Sequence, residues 1–182
     1  MLSACLAVAL SVTPAMAGGV IDGARSQAHF SLRVGIGRRV IEGRFNQVEG
    51  RLHAQPDGFR RVLVRLPVAD ADIPGHPRYT RLMRGGMFFD GERHPEVRFH
   101  SDPFDPGVLA RGGDLQGLLT LRGVSRRERL RVRSDCPPPD LRGCTFHAVG
   151  RVSRADYGMH HFRGLIDDVV EFDLRIVAGP AS

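Results

Sequence analysis

A chain of 182 residues fits one domain with one sizeable core, and no second domain is expected. Its 26 basic and 20 acidic residues give a net charge of +6, and every basic residue is Arg. That bias suits either a solvated surface or an anionic partner such as a lipid phosphate. With two Tyr, no Trp and no basic run interleaved with aromatics, nothing points to a nucleic-acid platform.

Residues 1–17 read as a secretory leader. Leu2 to Val12 is an apolar run too short to span a bilayer, Pro14 ends it, and Ala15-Met16-Ala17 has the A-x-A form of a cleavage site. The mature domain is therefore expected over 18–182, with no transmembrane span of its own. Leu2-Ser3-Ala4-Cys5 also has the form of a lipobox, with acylation of Cys5 as the lesser alternative.

Gln27 to Ile36 alternates, with Ala28, Phe30, Leu32, Val34 and Ile36 on one face and His29 on the other, as a half-buried strand does. Gly37-Arg38-Arg39 turns the chain into a second strand. In it Ile41, Gly43 and Phe45 share a face, and Val48, Gly50, Leu52 and Ala54 continue with the phase shifted by one. A bulge near Asn46-Gln47 accounts for the shift. Val62, Val64, Leu66 and Val68 define a third strand, with Pro67 placing it at an edge or bulge.

The segment that follows predicts the one helix, over about 77–85. Pro77 suits the first turn, and Gly85-Gly86 is expected to supply a left-handed residue at its end. Tyr79, Leu82, Met83 and Met87 fall on one face, Arg78, Arg81 and Arg84 on the other, so the helix is expected to plug one end of the β-structure with its arginines outward.

Glu96 to His100 is a fourth strand and Asp102 to Gly107 a loop. Leu115, Gly117, Leu119 and Leu121 face inward from a fifth strand, which forms a hairpin across Gly123-Val124-Ser125 with a sixth carrying Leu130 and Val132. Cys136 and Cys144 bracket Pro137-Pro138-Pro139, and in an oxidising compartment they are expected to form a disulfide worth on the order of 2–3 kcal/mol. Phe146, Ala148, Gly150 and Val152 mark a seventh strand, and Val170, Phe172, Leu174 and Ile176 the eighth.

Eight such strands predict an all-β antiparallel barrel closed on itself, with a two-sheet sandwich as the alternative. Glycines on the inward face, Gly43, Gly50, Gly117 and Gly150, favour the barrel and are expected to leave room inside for one small ligand.

Little in the chain points to catalysis. No two of the eight His are spaced to ligate a metal from one helix face or strand, there is no G-x-S-x-G elbow, and Gly35-Ile36-Gly37 opens a turn between strands rather than a phosphate loop. No catalytic residue, metal or cofactor is assigned, and a secreted barrel without such a constellation is more simply a carrier or binding module.

The order of motifs resembles the YceI-like family of bacterial periplasmic, lipocalin-like proteins. Its carriers are Ala28-His29-Phe30-Ser31-Leu32, Glu42-Gly43-Arg44-Phe45-Asn46 with Val48-Glu49-Gly50, and Phe88-Phe89-Asp90 with His94-Pro95 and Val97-Arg98-Phe99. Gly117 to Val124 and Val152 to Met159 complete the set, so the resemblance covers roughly Ile21 to Val177. Aligned on Phe88-Phe89-Asp90, the family's helix carries Asp, His, Leu, Ser and Asp where this chain has Thr80, Leu82, Met83, Gly85 and Met87. The polar groups of that helix are therefore replaced here.

The resemblance implies a periplasmic carrier holding an isoprenoid or similar amphiphilic lipid, an isoprenoid quinone among them. Expected tail contacts are Phe30, Leu32, Val34, Phe45, Leu119, Leu121, Phe146, Phe172 and Leu174 from strands, and Leu82, Met83 and Phe88 from the helical segment. Arg78, Arg81 and Arg84 are the expected head-group contacts. The rival readings are an envelope interaction or stress-related module with a packed barrel, and an enzyme acting on a lipid or quinone. Oligomeric state is not addressed by the sequence.

Overall fold

The computed structural model describes residues 19–136 and 143–181. The expected leader with Cys5, and the prolines between the two cysteines, lie outside the described residues. The chain forms β1 (Gly19–Ile21), β2 (Gln27–Val34), β3 (Arg39–Phe45), β4 (Glu49–Ala54), β5 (Arg60–Pro67), β6 (Ala71–Asp72), α1 (Pro77–Arg84), β7 (Glu96–Ser101), α2 (Gly107–Arg111), β8 (Gly113–Leu121), β9 (Val124–Ser134), β10 (Thr145–Ser153) and β11 (Val169–Ala181).

All strand pairings are antiparallel, and β1–β4–β5–β7–β8–β9–β10–β11 closes into a ring because β1 also pairs with β11. β1 and β2 are one interrupted strand along β11, and β3 and β4 are one interrupted strand beside them. This is the expected eight-stranded closed barrel, with β6 as a short addition on β3.

The interruption between β3 and β4 falls at the predicted bulge. There the side-chain amide of Asn46 donates to the carbonyl of Asp70 at 2.7 Å and to Asp72 at 3.1 Å, holding the chain through the phase change. Val48 is buried on the far side of it, so both halves keep their apolar face inward.

The β8–β9 hairpin is tighter than expected. Leu121 pairs with Val124, and the two residues between them, Arg122 and Gly123, have φ values of 53° and 73°. Two consecutive left-handed residues match the right-handed twist of the flanking strands. Arg in the first of these positions is unusual, and its side chain supplies the reason below.

α1 spans nearly its predicted length, but its end differs. Gly85 is extended, at φ −75° and ψ 176°, and the left-handed residue is Asp90. The last carbonyls of the helix are satisfied by the chain folding back: Phe89 N–H donates to Met83 O at 2.9 Å and Gly91 N–H to Arg84 O at 2.8 Å. That fold-back drives Phe89 into the core beside Met83. α2 falls just after the predicted loop, its five residues too few for a periodic signal.

Strand direction gives the barrel two ends. The β2–β3 and β8–β9 turns, α1 and the 154–168 segment gather at one end, called the hairpin end. The 55–59 turn, α2 and the disulfide between Cys136 and Cys144 gather at the other.

Candidate ligand-binding barrel and its mouth

The inner face is built by alternation. Ala28 and Phe30 of β2, Phe45 of β3, Val64 and Leu66 of β5, Val97 and Phe99 of β7, and Leu115, Leu119 and Leu121 of β8 are all buried. So are Val132 of β9 and Val170, Phe172, Leu174 and Ile176 of β11. At the centre four rings meet: Phe30 lies 5.7 Å from Phe45, 5.9 Å from Phe89 and 6.5 Å from Phe172 by centroid, and Phe45 lies 5.7 Å from Phe89. Tilted and edge-on pairs at such distances add to plain apolar burial.

The inward glycines do not leave the room expected of them. Register sets Gly43 directly opposite Phe30, and a Cβ at 43 would lie within 2.7 Å of three carbons of that ring. Gly50 is covered by Ile21, Gly150 by Leu130, and Gly117 by the backbone of β7. Each glycine makes space for a neighbour of the same fold, so the mid-barrel is filled by side chains.

Of the expected tail contacts, Phe30, Phe45, Met83, Leu119, Leu121, Phe172 and Leu174 are buried in the core, and Leu32, Phe88 and Phe146 pack partly buried against it. Val34 and Leu82 are partly buried as well. Exposure rises along β2 from Phe30 to Leu32 and Val34, and along β3 from Gly43 to Ile41. The inward wall therefore opens at the hairpin end. There Leu32, Val34, Ile41 and Phe88 form a mouth above the four rings, whereas Phe146 lies toward the disulfide end.

The expected head-group arginines divide. Arg78 and Arg81 are exposed on α1. Arg84 is not on the outward face expected of it: its Nε donates to the carbonyl of Ala71 at 2.7 Å and pins the helix to β6. β6 stands at the end of the strand order, and the Ala71 carbonyl on it accepts the helix.

The rim of the mouth is organised by residues whose roles the alternation did not reveal. Arg154, in the 3-10 turn Arg154–Tyr157, is 2 % exposed. It donates to the carbonyls of Asp167 (3.0 Å), Met159 (2.5 Å), His161 (2.8 Å) and Ile166 (3.1 Å). Burial pushes its pKa below the usual arginine value, and the carboxylate of Asp168 pushes it back up. Local sequence makes the turn: Ser153 Oγ accepts from Asp156 N–H, and Gly158 closes it at φ 76°.

Tyr157, from the same turn, is fully buried, and its hydroxyl donates to Glu128 at 2.8 Å. Burial raises its pKa far above the ordinary tyrosine value, and the Glu128 carboxylate raises it further. Glu128 sits opposite Gly117 on the inner face of β9, so this inward carboxylate is engaged by its own fold. Arg122 explains its own backbone: Nη1 donates to Gly158 O and Nη2 to Gly86 O, each at 2.7 Å, joining three rim segments. Phe88 stacks on Phe162 at 6.2 Å and 12° across the mouth.

Arg60 at the disulfide end was missed too. It continues the inward series of Val62 and Val64, and its Nη1 is buried without a partner among the described residues. The alternation contained that signal.

No metal chemistry attaches to Asp135, Cys136 and Cys144, although they cluster, because the two sulfurs are bonded to each other and a disulfide offers no thiolate. Thr145 N–H, donating at 2.7 Å, holds the Asp135 carboxyl below the usual carboxylate range. On the outer wall a groove of about 820 Å³ runs between charged residues of both signs, with Arg151 and Glu171 paired at 2.9 Å and Val149 among its lining residues.

The family that matches the sequence is described as the YceI-like domain, over residues 20–178. Among solved structures, Burkholderia cenocepacia BcnA superposes with TM-score 0.72 at 20% identity, covering 87% of this chain and 99% of that one. A polyisoprenoid binding domain from Saccharophagus degradans, implicated in plant cell wall breakdown, gives 0.69 at 17%, covering 92% and 99%. The Campylobacter jejuni YCEI protein gives 0.64 at 18%, covering 78% and 86%. No curated protein matches the sequence.

Proposed function

Because the chain belongs to the YceI-like domain family, we propose that it is a lipid carrier and not an enzyme, its barrel taking up the tail of an isoprenoid or similar amphiphile. The observation that carries this reading is the mouth: Leu32, Val34, Ile41 and Phe88 line an inward apolar wall that stays partly exposed at the hairpin end. The Saccharophagus degradans domain of the same fold, described as polyisoprenoid-binding, supports it.

Each methylene withdrawn from water contributes about 0.8 kcal/mol before ordering costs, so a long tail binds without a special polar contact. A tail reaching past the mouth has to turn the rings of Phe30 and Phe89 aside, because nothing smaller fills the centre. An isoprenoid quinone fits the same description. The disulfide accords with a compartment outside the cytoplasm, and we assign the protein to the periplasm.

Mass spectrometry of organic extracts from the purified protein tests the reading. Copurifying isoprenoid is expected, and Leu32→Glu, which sets a charge in the mouth, is expected to reduce it while Leu118→Glu on the outer wall does not. A protein that carries no lipid would overturn it. The filled centre would then favour the second reading, an envelope interaction module with a packed barrel.

A further inference from the structure

Two rim segments expose apolar side chains outside the core. Ile36, at the tip of the β2–β3 hairpin, is fully exposed, and Val40, Phe162 and Leu165 are each about half exposed. Single exposed hydrophobics are ordinary, but these form one patch. Gly35 N–H donates to Leu165 O at 2.6 Å, Val34 bridges Ile166, and Asp167 N–H donates to the carbonyl of Arg33, the cross-strand partner of Val40.

The patch is held outward. Four carbonyls of the 159–167 segment are fixed by Arg154, and Phe162 sits in the left-handed region at φ 59°, a conformation a bulky residue adopts only when its surroundings impose it. Leu165 is thus kept in solvent at the edge of an apolar mouth that it does not cover.

The charge around it is mostly positive. Arg33, Arg39 and Arg163 have no carboxylate partner among the described residues; Arg33 and Arg39 are exposed, and Arg163 lies 2.9 Å from the ring nitrogen of His160. Arg38 is paired with Asp167 at 2.8 Å, which leaves Glu42 and Asp168 as the opposing carboxylates, the latter accepting from Ala155 N–H. Apolar side chains at loop tips, flanked by arginines, match the boundary of a bilayer, where acyl chains meet phosphates.

We propose that this rim docks on a membrane containing anionic phospholipid, with Ile36 and Leu165 entering the interface and Arg33, Arg39 and Arg163 meeting phosphates. The mouth then faces the bilayer, and a lipid passes between membrane and barrel without crossing water. Docking goes beyond the carrier reading and holds whether or not the barrel carries cargo.

The test is flotation of residues 18–182, which contain every strand of the barrel, with vesicles of phosphatidylcholine alone or mixed with phosphatidylglycerol. Binding is expected on the mixed vesicles, weaker on phosphatidylcholine and weakened by salt. Ile36→Ser with Leu165→Ser is expected to reduce partitioning at least ten-fold, and Arg33→Gln and Arg39→Gln about five-fold each. Leu118→Ser, at an exposed apolar site on the outer wall, is expected to change nothing.

All five side chains are exposed, and unchanged melting temperatures would confirm that the variants fold. Absence of binding to the mixed vesicles, or equal binding by the Ile36/Leu165 variant, overturns the proposal. A carrier that does not dock would yield lipid in its extracts and no flotation. A docking protein without cargo would show the reverse.

Discussion

Arg154→Ala removes a guanidinium that joins both arms of the 154–168 segment. Four carbonyls lose a charged donor, each such bond being worth about 1.5–3 kcal/mol. The bonds are not additive, because the same cation loses hydration to make them, but even half of the four carbonyls left without a donor, at about 1–3 kcal/mol each, puts the loss at roughly 4 kcal/mol. In a domain of this size 1 kcal/mol corresponds to about 2–4 °C, so the melting temperature should fall by roughly 10 °C or more. Arg154→Lys keeps the charge but gathers its donors at a single nitrogen, which cannot reach carbonyls spread over residues 159–167, and it should recover less than half. Urea unfolding gives the stability, and hydrogen exchange of the 159–167 amides gives its location. A loss under about 1 kcal/mol, or unchanged exchange in that segment, would refute the reasoning.

Gly43→Ala drives a methyl into the Phe30 ring and should cost about 1–3 kcal/mol, with Phe30→Leu in the same chain recovering part of it; a double-mutant cycle by urea unfolding reads the coupling. Tyr157 keeps its proton in the folded state, while an unfolded tyrosine releases it near pH 10. Its contribution is therefore complete below about pH 10 and declines above it by about 1.4 kcal/mol per pH unit. Tyr157→Phe should cost about 1–2 kcal/mol at neutral pH and flatten that alkaline slope, as unfolding at several pH values will show. Reduction of the disulfide should lower stability by about 2–3 kcal/mol, measured as thermal unfolding with and without dithiothreitol.

The barrel was readable because alternation is a local signal. Ala28, Phe30 and Leu32 against His29 and Arg33 decide which face is buried whatever lies opposite, and the slip at Asn46-Gln47 shows where a strand breaks. What fills the barrel was not readable, because a glycine in a strand looks the same whether it faces empty space or a phenyl ring. Phe30 and Gly43 are set opposite each other only by register, which no single strand encodes. Arg154 was hidden for a related reason: its acceptors are backbone carbonyls, which leave no mark on residue identity. Arg84 was misplaced because helical periodicity assigns a face but does not say that β6 lies beneath it. Arg60, by contrast, was readable in its place after Val62 and Val64 and was passed over.

β11 joins the two ends of the chain in time as well as in space. Among the barrel strands it is synthesised after all the others, yet β1, β2 and β10 all pair with it, and Ser26 receives the Val177 N–H across 151 residues. Until it arrives, the nascent chain holds two unpaired edges and an open apolar trough. Contacts this distant in sequence form late and slowly, so the synthesis of β11 sets the moment at which the barrel stops being prone to aggregation. Chains truncated before Val169 should collect as aggregates, not as smaller folded barrels.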